Sequence, residues 1–218
     1  LNTMKKILLM ICFTAVASHC LAQYQTSRER SRYSRTTTER YYGLRLGLNV
    51  ATVNSDVIDV DLDSRSGLMV GGVYGIQLAN STPLWLELGL LYSEKGGKRY
   101  RDGAEITTRL TYLQAPIVIK YSFDVLDDLY IQPFLGGYLA YGVGGKTKNY
   151  GSSTVQRESH SSFNDFRRFD GGLRVGCGAE YKMLYAEIGF DFGLANIIKD
   201  DFATARNQNL FMAIGVNF

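Results

Sequence analysis

Three sets of side chains in this sequence have types and spacings that chemistry uses. Ser159-His160-Ser161-Ser162 puts an imidazole beside hydroxyls, the pairing from which a nucleophile and its general base are made. Adjacency along the chain supplies no third group to orient the ring, so the motif alone predicts a polar loop. Asp56, Asp59, Asp61 and Asp63 crowd another stretch, and Asp59-Val60-Asp61-Leu62-Asp63 is similar to a calcium loop, because hard cations take carboxylate oxygens. The glycine after the third aspartate and the distal glutamate of an EF-hand are missing. The alternation with Ile58, Val60 and Leu62 fits strands that extend beyond a membrane. The third set is dispersed: Arg45, Glu87, Lys120, Asp170, Arg174, Glu180, Glu187 and Asp191 each stand alone among small and apolar residues. Their acids and bases nearly balance, as a buried network requires. The reading is of a non-enzymatic protein with no cofactor. Catalysis at His160, and Ca²⁺ or Mg²⁺ bridging Asp59, Asp61 and Asp63 to lipopolysaccharide phosphates, are the alternatives.

The elements that must position these groups are strands. In Leu210 to Phe218, the residues Leu210, Met212, Ile214, Val216 and Phe218 share one face, and Phe211, Ala213, Gly215 and Asn217 the other, because successive side chains alternate. One face is large and apolar and the other mostly small or polar, the pattern of a lipid-facing barrel strand. The segment is also similar to the terminal signal by which the barrel-assembly machinery recognises its clients. The same alternation begins at Tyr41, with Tyr42, Leu44, Leu46, Leu48 and Val50 against Gly43, Arg45, Gly47, Asn49 and Ala51. It continues over about 68–79, over 84–95 (with Trp85, Glu87, Gly89, Ser93 and Lys95 inward), and over about 107–121, where Pro116 predicts a bulge or irregularity. The fifth strand, about 129–143, sends Tyr130, Gln132, Phe134 and Tyr138 inward. Two more follow over 170–181 and 185–192, before the terminal strand. Turns at 80–83, 122–128 and 182–183 are short. The stretches 144–165 and 195–207 predict long polar loops.

Eight strands joined alternately by turns and loops predict an all-β fold, an eight-stranded antiparallel outer-membrane barrel with both termini periplasmic. Tyr121, Phe123, Tyr130, Tyr181, Tyr185 and Phe218 fall near one end and Tyr92, Tyr141 and Phe192 near the other, as interfacial girdles require. Eight strands leave an interior only wide enough for side chains, so a plugged barrel is expected. A soluble lipocalin-like barrel with its apolar faces inward is the alternative architecture, but its solvent face would then be rich in glycine and poor in charge.

Met4-Lys5-Lys6, the apolar run from Ile7 to Ala17 and the cleavage site after Ala22 predict a signal peptide with upstream residues over 1–22. Residues 23–40, with Arg28, Arg30, Arg32, Arg35 and Arg40 and no apolar period, predict a flexible periplasmic segment. The barrel takes 41–218. Cys12 and Cys20 leave with the signal, so Cys177 remains and no internal disulfide holds the fold. With 23 Gly, 15 Tyr, 11 Phe, only 3 Pro and 21% charged residues, the chain alternates apolar and polar residues. Its net charge of +3 lies largely in 23–40, which argues against a nucleic-acid surface.

Gly43-Leu44-Arg45-Leu46-Gly47-Leu48-Asn49, Leu88 to Gly97, Tyr112-Leu113-Gln114-Ala115-Pro116 and Gly193-Leu194-Ala195-Asn196-Ile197 together resemble the PorT-type outer-membrane β-barrel proteins of Bacteroidota. That resemblance covers the chain after the signal and implies an outer-membrane barrel without catalytic residues. One member of that family is needed for type IX protein secretion. Gln114 and Ala115 stand where the family pattern has an acidic residue and a bulkier aliphatic. The expected partners are outer-membrane lipid and lipopolysaccharide, the barrel-assembly machinery, and a surface or secretion partner met through the loops or the tail.

Overall fold

A computed structural model describes residues 39–55, 62–79, 82–101, 104–126, 128–149, 158–164, 166–198 and 205–218. The signal and tail assignments over 1–38, and Asp56, Asp59 and Asp61, lie outside the described residues. Eight long strands form the wall: β1 (Arg40–Ser55), β2 (Leu62–Ala79), β3 (Thr82–Arg101), β4 (Ala104–Tyr121), β6 (Leu129–Asn149), β8 (Phe169–Tyr181), β9 (Leu184–Gly193) and β10 (Ala205–Asn217). Two short strands, β5 (Phe123–Leu126) and β7 (Glu158–His160), each pair with β6. Every wall strand is antiparallel to its neighbours, and β10 pairs with β1, so the sheet closes on itself. Closure removes the free edges that a membrane cannot satisfy.

The stagger of the wall follows from its register. Paired residues run once around the barrel from Tyr41 through Gly75, Glu87, Val118, Gly136, Arg174, Asp191 and Asn209 and return to β1 at Ala51, ten residues further along. Such a shift corresponds to strands tilted roughly 40° to the axis.

Alternation decides which side chains face which way. Leu44, Leu46, Leu48, Leu90, Ile117, Leu135, Leu139, Ile188 and Ile214 are exposed on the outer wall, while Arg45, Glu87, Lys120, Arg174 and Asp191 are buried inside. A soluble barrel with inward apolar faces is thereby ruled out, because it would leave these charges on its surface. Two apolar clusters share the interior with the charges. Met69, Val73, Leu91, Val118, Phe134, Phe211 and Ala213 fill the middle. Tyr112, Tyr138, Phe163, Phe166, Ile197 and Ile198 close the end that carries the long connections.

At the opposite end the connections are tight. Tyr181 pairs with Leu184 across Lys182, whose φ of 59° supplies the left-handed step that a two-residue hairpin needs. Tyr42 and Phe218 exchange two backbone hydrogen bonds of 2.8 Å, which extends the β1–β10 seam.

Four expectations need correction. The third and fourth strands do not stop at 95 and begin at 107, since β3 and β4 run on to pair Arg101 with Ala104. The turn over 122–128 contains the small strand β5. Tyr185 belongs inside the barrel, at 2% exposure, and not to an interfacial girdle. The stretch 144–165 is not simply a polar loop: β6 reaches Asn149, and Phe163 is buried in the end cluster. The irregularity expected at Pro116 is a break in pairing without a change of register, since Leu88 pairs with Ile117 and Leu91 with Gln114 while the pairs between them are absent. Gly89 stands opposite, where a Cβ would come within 2.8 Å of the proline ring.

Candidate functional site

The side chains with chemical capacity converge in the lumen, on the inward parity of the eight wall strands. Toward the tight-turn end, Glu87 of β3 is the hub. Its Oε2 accepts from Lys120 Nζ at 2.8 Å, Arg45 Nη2 at 3.2 Å and Tyr41 Oη at 2.6 Å. Lys120 also donates to Tyr185 Oη at 2.7 Å, and the Arg45 guanidinium lies 4.0 Å from the centre of the Tyr185 ring. Space for Arg45 comes from Gly43 and Gly215, where a Cβ would stand 2.6 and 2.9 Å from its Nη1. Arg45 Nη1 donates to Asn217 Oδ1 at 2.7 Å, and Asn217 Nδ2 in turn donates to Glu180 Oε2 at 2.6 Å.

Nearer the loop end a second layer is built on two aspartates. Asp191 lies 3.4 Å from Arg174 and accepts from Gln114 at 3.1 Å and Asn209 at 3.2 Å. Asp170 accepts from Asn207 at 2.9 Å and Lys95 at 3.4 Å. The Lys95 ammonium sits 4.2 Å from the Tyr138 ring centre, and Arg174 stacks 3.7 Å from that of Phe211. Such rings replace part of the hydration that buried cations lose.

The sequence-derived set divides as follows. Arg45, Glu87 and Lys120 meet in one layer, and Arg174 meets Asp191 and, at 4.0 Å, Glu187 in the other. Asp170 pairs with Lys95, which alternation turns inward but which was not in the charge set. Glu180 is held by the amides of Asn217 and of Gln132, the latter at 3.3 Å. Tyr41, Asn49, Gln114, Asn207 and Asn209 are further members missed by a search for charge alone. Their inward parity is the signal that would have found them.

The remaining candidates lie apart. His160 pairs with Thr147 at the loop end. Ser162 donates to the Arg109 carbonyl at 2.8 Å and lies 3.1 Å from Thr147 Oγ1, so its hydroxyl is engaged in holding the segment down. Asp63 is exposed opposite Lys98, and no three potential metal ligands gather among the described residues. Leu210, Met212 and Ile214 are exposed on the outer wall, and Val216 and Phe218 are half-buried.

What this arrangement does chemically is fill space and neutralise itself. The internal cavity between Arg45, Glu87, Phe134 and Arg174 has a volume of about 10 Å³, the lower limit for one water molecule. Above it the Phe163 ring seats directly on Gly142, meets Tyr112 edge-on at 6.0 Å, and is covered by Arg168, 4.9 Å from its centre.

A family model described as an outer membrane protein beta-barrel domain matches residues 22–199. Among solved structures the chain is similar to Neisserial surface protein A, at 14% identity over 81% of this chain and 97% of that one, with a TM-score of 0.48. It is also similar to a major outer membrane protein from Thermus thermophilus, at 13% identity over 83% and 100%, TM-score 0.49. OprG from Pseudomonas aeruginosa matches at 10% identity over 84% and 98%, TM-score 0.46. No curated protein matches the chain.

Proposed function

This chain belongs to the outer membrane protein beta-barrel domain family, and on that premise we propose that it is a non-enzymatic outer-membrane barrel with a plugged interior. In this reading its loop end faces outward and meets a partner or the lipopolysaccharide around it, with both chain termini in the periplasm. The observation that carries the plugged interior is the pair of ion-paired layers around a cavity of about 10 Å³, beneath the Phe163 and Phe166 cap. A solute path would have to unpair several buried charges at once, which costs several kcal/mol per ion.

Planar-bilayer recording tests this. The purified protein is expected to insert without stable conductance steps, whereas steps of constant size in the unaltered chain would contradict a plugged barrel. Gly142→Val is expected to displace Phe163, because a side chain there occupies the place of the ring, and still to show no stable conductance steps, because the ion-paired layers beneath remain closed.

A second reading, an accessory of protein secretion, draws on the four motifs that resemble PorT-type proteins and on the arginines of 23–40. Deleting residues 24–38 is expected to abolish a secretion phenotype under that reading and to leave one mediated by the loops untouched.

A further inference from the structure

We propose that the outer wall of β3, β4 and β6 carries a binding site for the phosphate groups of an outer-leaflet glycolipid of the lipid A type. The proposal deepens the outward-facing loop end assigned above and rests on it. The register stacks the wall there in rows. Tyr92, Leu113 and Tyr141 pair in one row, and all three are exposed, at 37, 43 and 57%. Toward the loop end a later row pairs Gly96, Arg109 and Lys146, and the next of the same parity pairs Lys98, Thr107 and Lys148. Arg109, Lys146 and Lys148 are exposed on the outer face.

Height places these cations at the headgroups. Arg109 lies four residues beyond Leu113, about 13 Å of strand and roughly 10 Å of rise at the wall's tilt. Long basic side chains above an apolar band reach back to the headgroup layer, which is about 5–7 Å deep on each side of the hydrocarbon.

Charge and space point to an anion. Arg109 and Lys146 are direct cross-strand partners, and like charges so placed destabilise a sheet unless something neutralises them. The carboxylate at hand, Glu94, is bound by Arg109 on its outer side, accepts from Tyr92 Oη at 3.0 Å, and lies 4.0 Å from Arg65. It is therefore shared among several donors and leaves the patch basic. Asp63 pairs with Lys98, and Glu105 pairs with Tyr100 one row nearer the strand tips. The row between girdle and cations pairs Glu94, Thr111 and Gly144, with Val143 exposed beside it, and its open position is Gly144, where a Cβ would meet nothing within 4 Å. Gly96, the β3 partner of Arg109, holds a φ of 121°, which L residues rarely adopt, so this position stays without a side chain. The wall thus presents aromatics below and cations above a row that is open at Gly144, which fits a phosphorylated sugar.

The test uses the full chain in phosphatidylcholine nanodiscs, titrated with bis-phosphorylated lipid A or with its dephosphorylated form, and read by native mass spectrometry of intact complexes. Phosphorylated lipid A is expected to bind more tightly, with an affinity that falls as salt is added. Lys146→Gln with Lys148→Gln should weaken it on the order of 10- to 30-fold and leave the dephosphorylated form unaffected, while Lys146→Arg with Lys148→Arg retains binding. Equal binding of the two lipids by a barrel whose unheated band shifts in gel mobility on heating, the mark of a closed folded barrel, would overturn this site alone. Absence of that shift in the unaltered chain would overturn the membrane reading and the site with it.

Discussion

Glu87→Gln is expected to lower the stability of the folded barrel by about 3–5 kcal/mol, because it removes the carboxylate that the buried Arg45 and Lys120 both contact. Both cations touch the same Glu87 oxygen, and each is at most 2% exposed, so neither can recover hydration without opening the wall. The chain has a single tryptophan, Trp85, which pairs with Lys120 across the β3–β4 ladder and packs 5.3 Å from Tyr41. Its fluorescence during urea unfolding in lipid vesicles reports the loss at the site itself. Adding Lys120→Met to Glu87→Gln should restore part of the stability, since one orphaned charge is then gone. A change below about 1 kcal/mol on Glu87→Gln, the scale of an exposed pair, would show that the network is solvated.

Phe211→Ala should cost a comparable amount, about 3–5 kcal/mol, from the cavity it opens at the centre of the barrel. The ring is fully buried, stacks on Phe134 at 6.4 Å between centroids, and carries the Arg174 guanidinium on its face. It rests over Gly189, where any Cβ would strike the ring and would come 2.6 Å from the Val175 carbonyl. Gly189→Ala is therefore destabilising in the unaltered chain and should cost less once Phe211 is alanine, because one of its two clashes is gone. Additive losses in that double variant would contradict the packing described here.

Much of the wall is legible from alternation alone. Tyr42 to Val50 and Leu210 to Ile214 carry their large apolar groups on one parity, Phe211 excepted, and the fold turns that parity outward. Alternation also tells which polar residues enter the lumen, Lys95, Gln114 and Asn209 among them. It does not tell which of them meet, because contacts across the barrel depend on the ten-residue stagger of the closed wall, a property of all eight strands together. Lys95 of β3 reaches Asp170 of β8 for that reason. The strand extensions over 98–101, 104–106 and 144–149 escape a sequence reading because beyond the apolar band neither face need be apolar, and backbone pairing continues without any pattern. Phe163 and Phe166 escape it too: three residues apart in a polar stretch, they show neither period of two nor flanking strand, and only the cavity beneath gives them a place to be buried.

The most direct measurement of the outward apolar wall uses Cys177, which is exposed on β8 between Val175 and Ala179 and pairs with Ile188 and Pro133. With Cys12 and Cys20 changed to serine, a nitroxide attached at Cys177 in the vesicle-reconstituted protein reports its surroundings by electron spin resonance. The account predicts strong relaxation by oxygen, which concentrates in hydrocarbon, and shielding from a water-soluble nickel chelate. A nitroxide relaxed by the chelate as readily as one at exposed Asp63 would place this wall in water and contradict it.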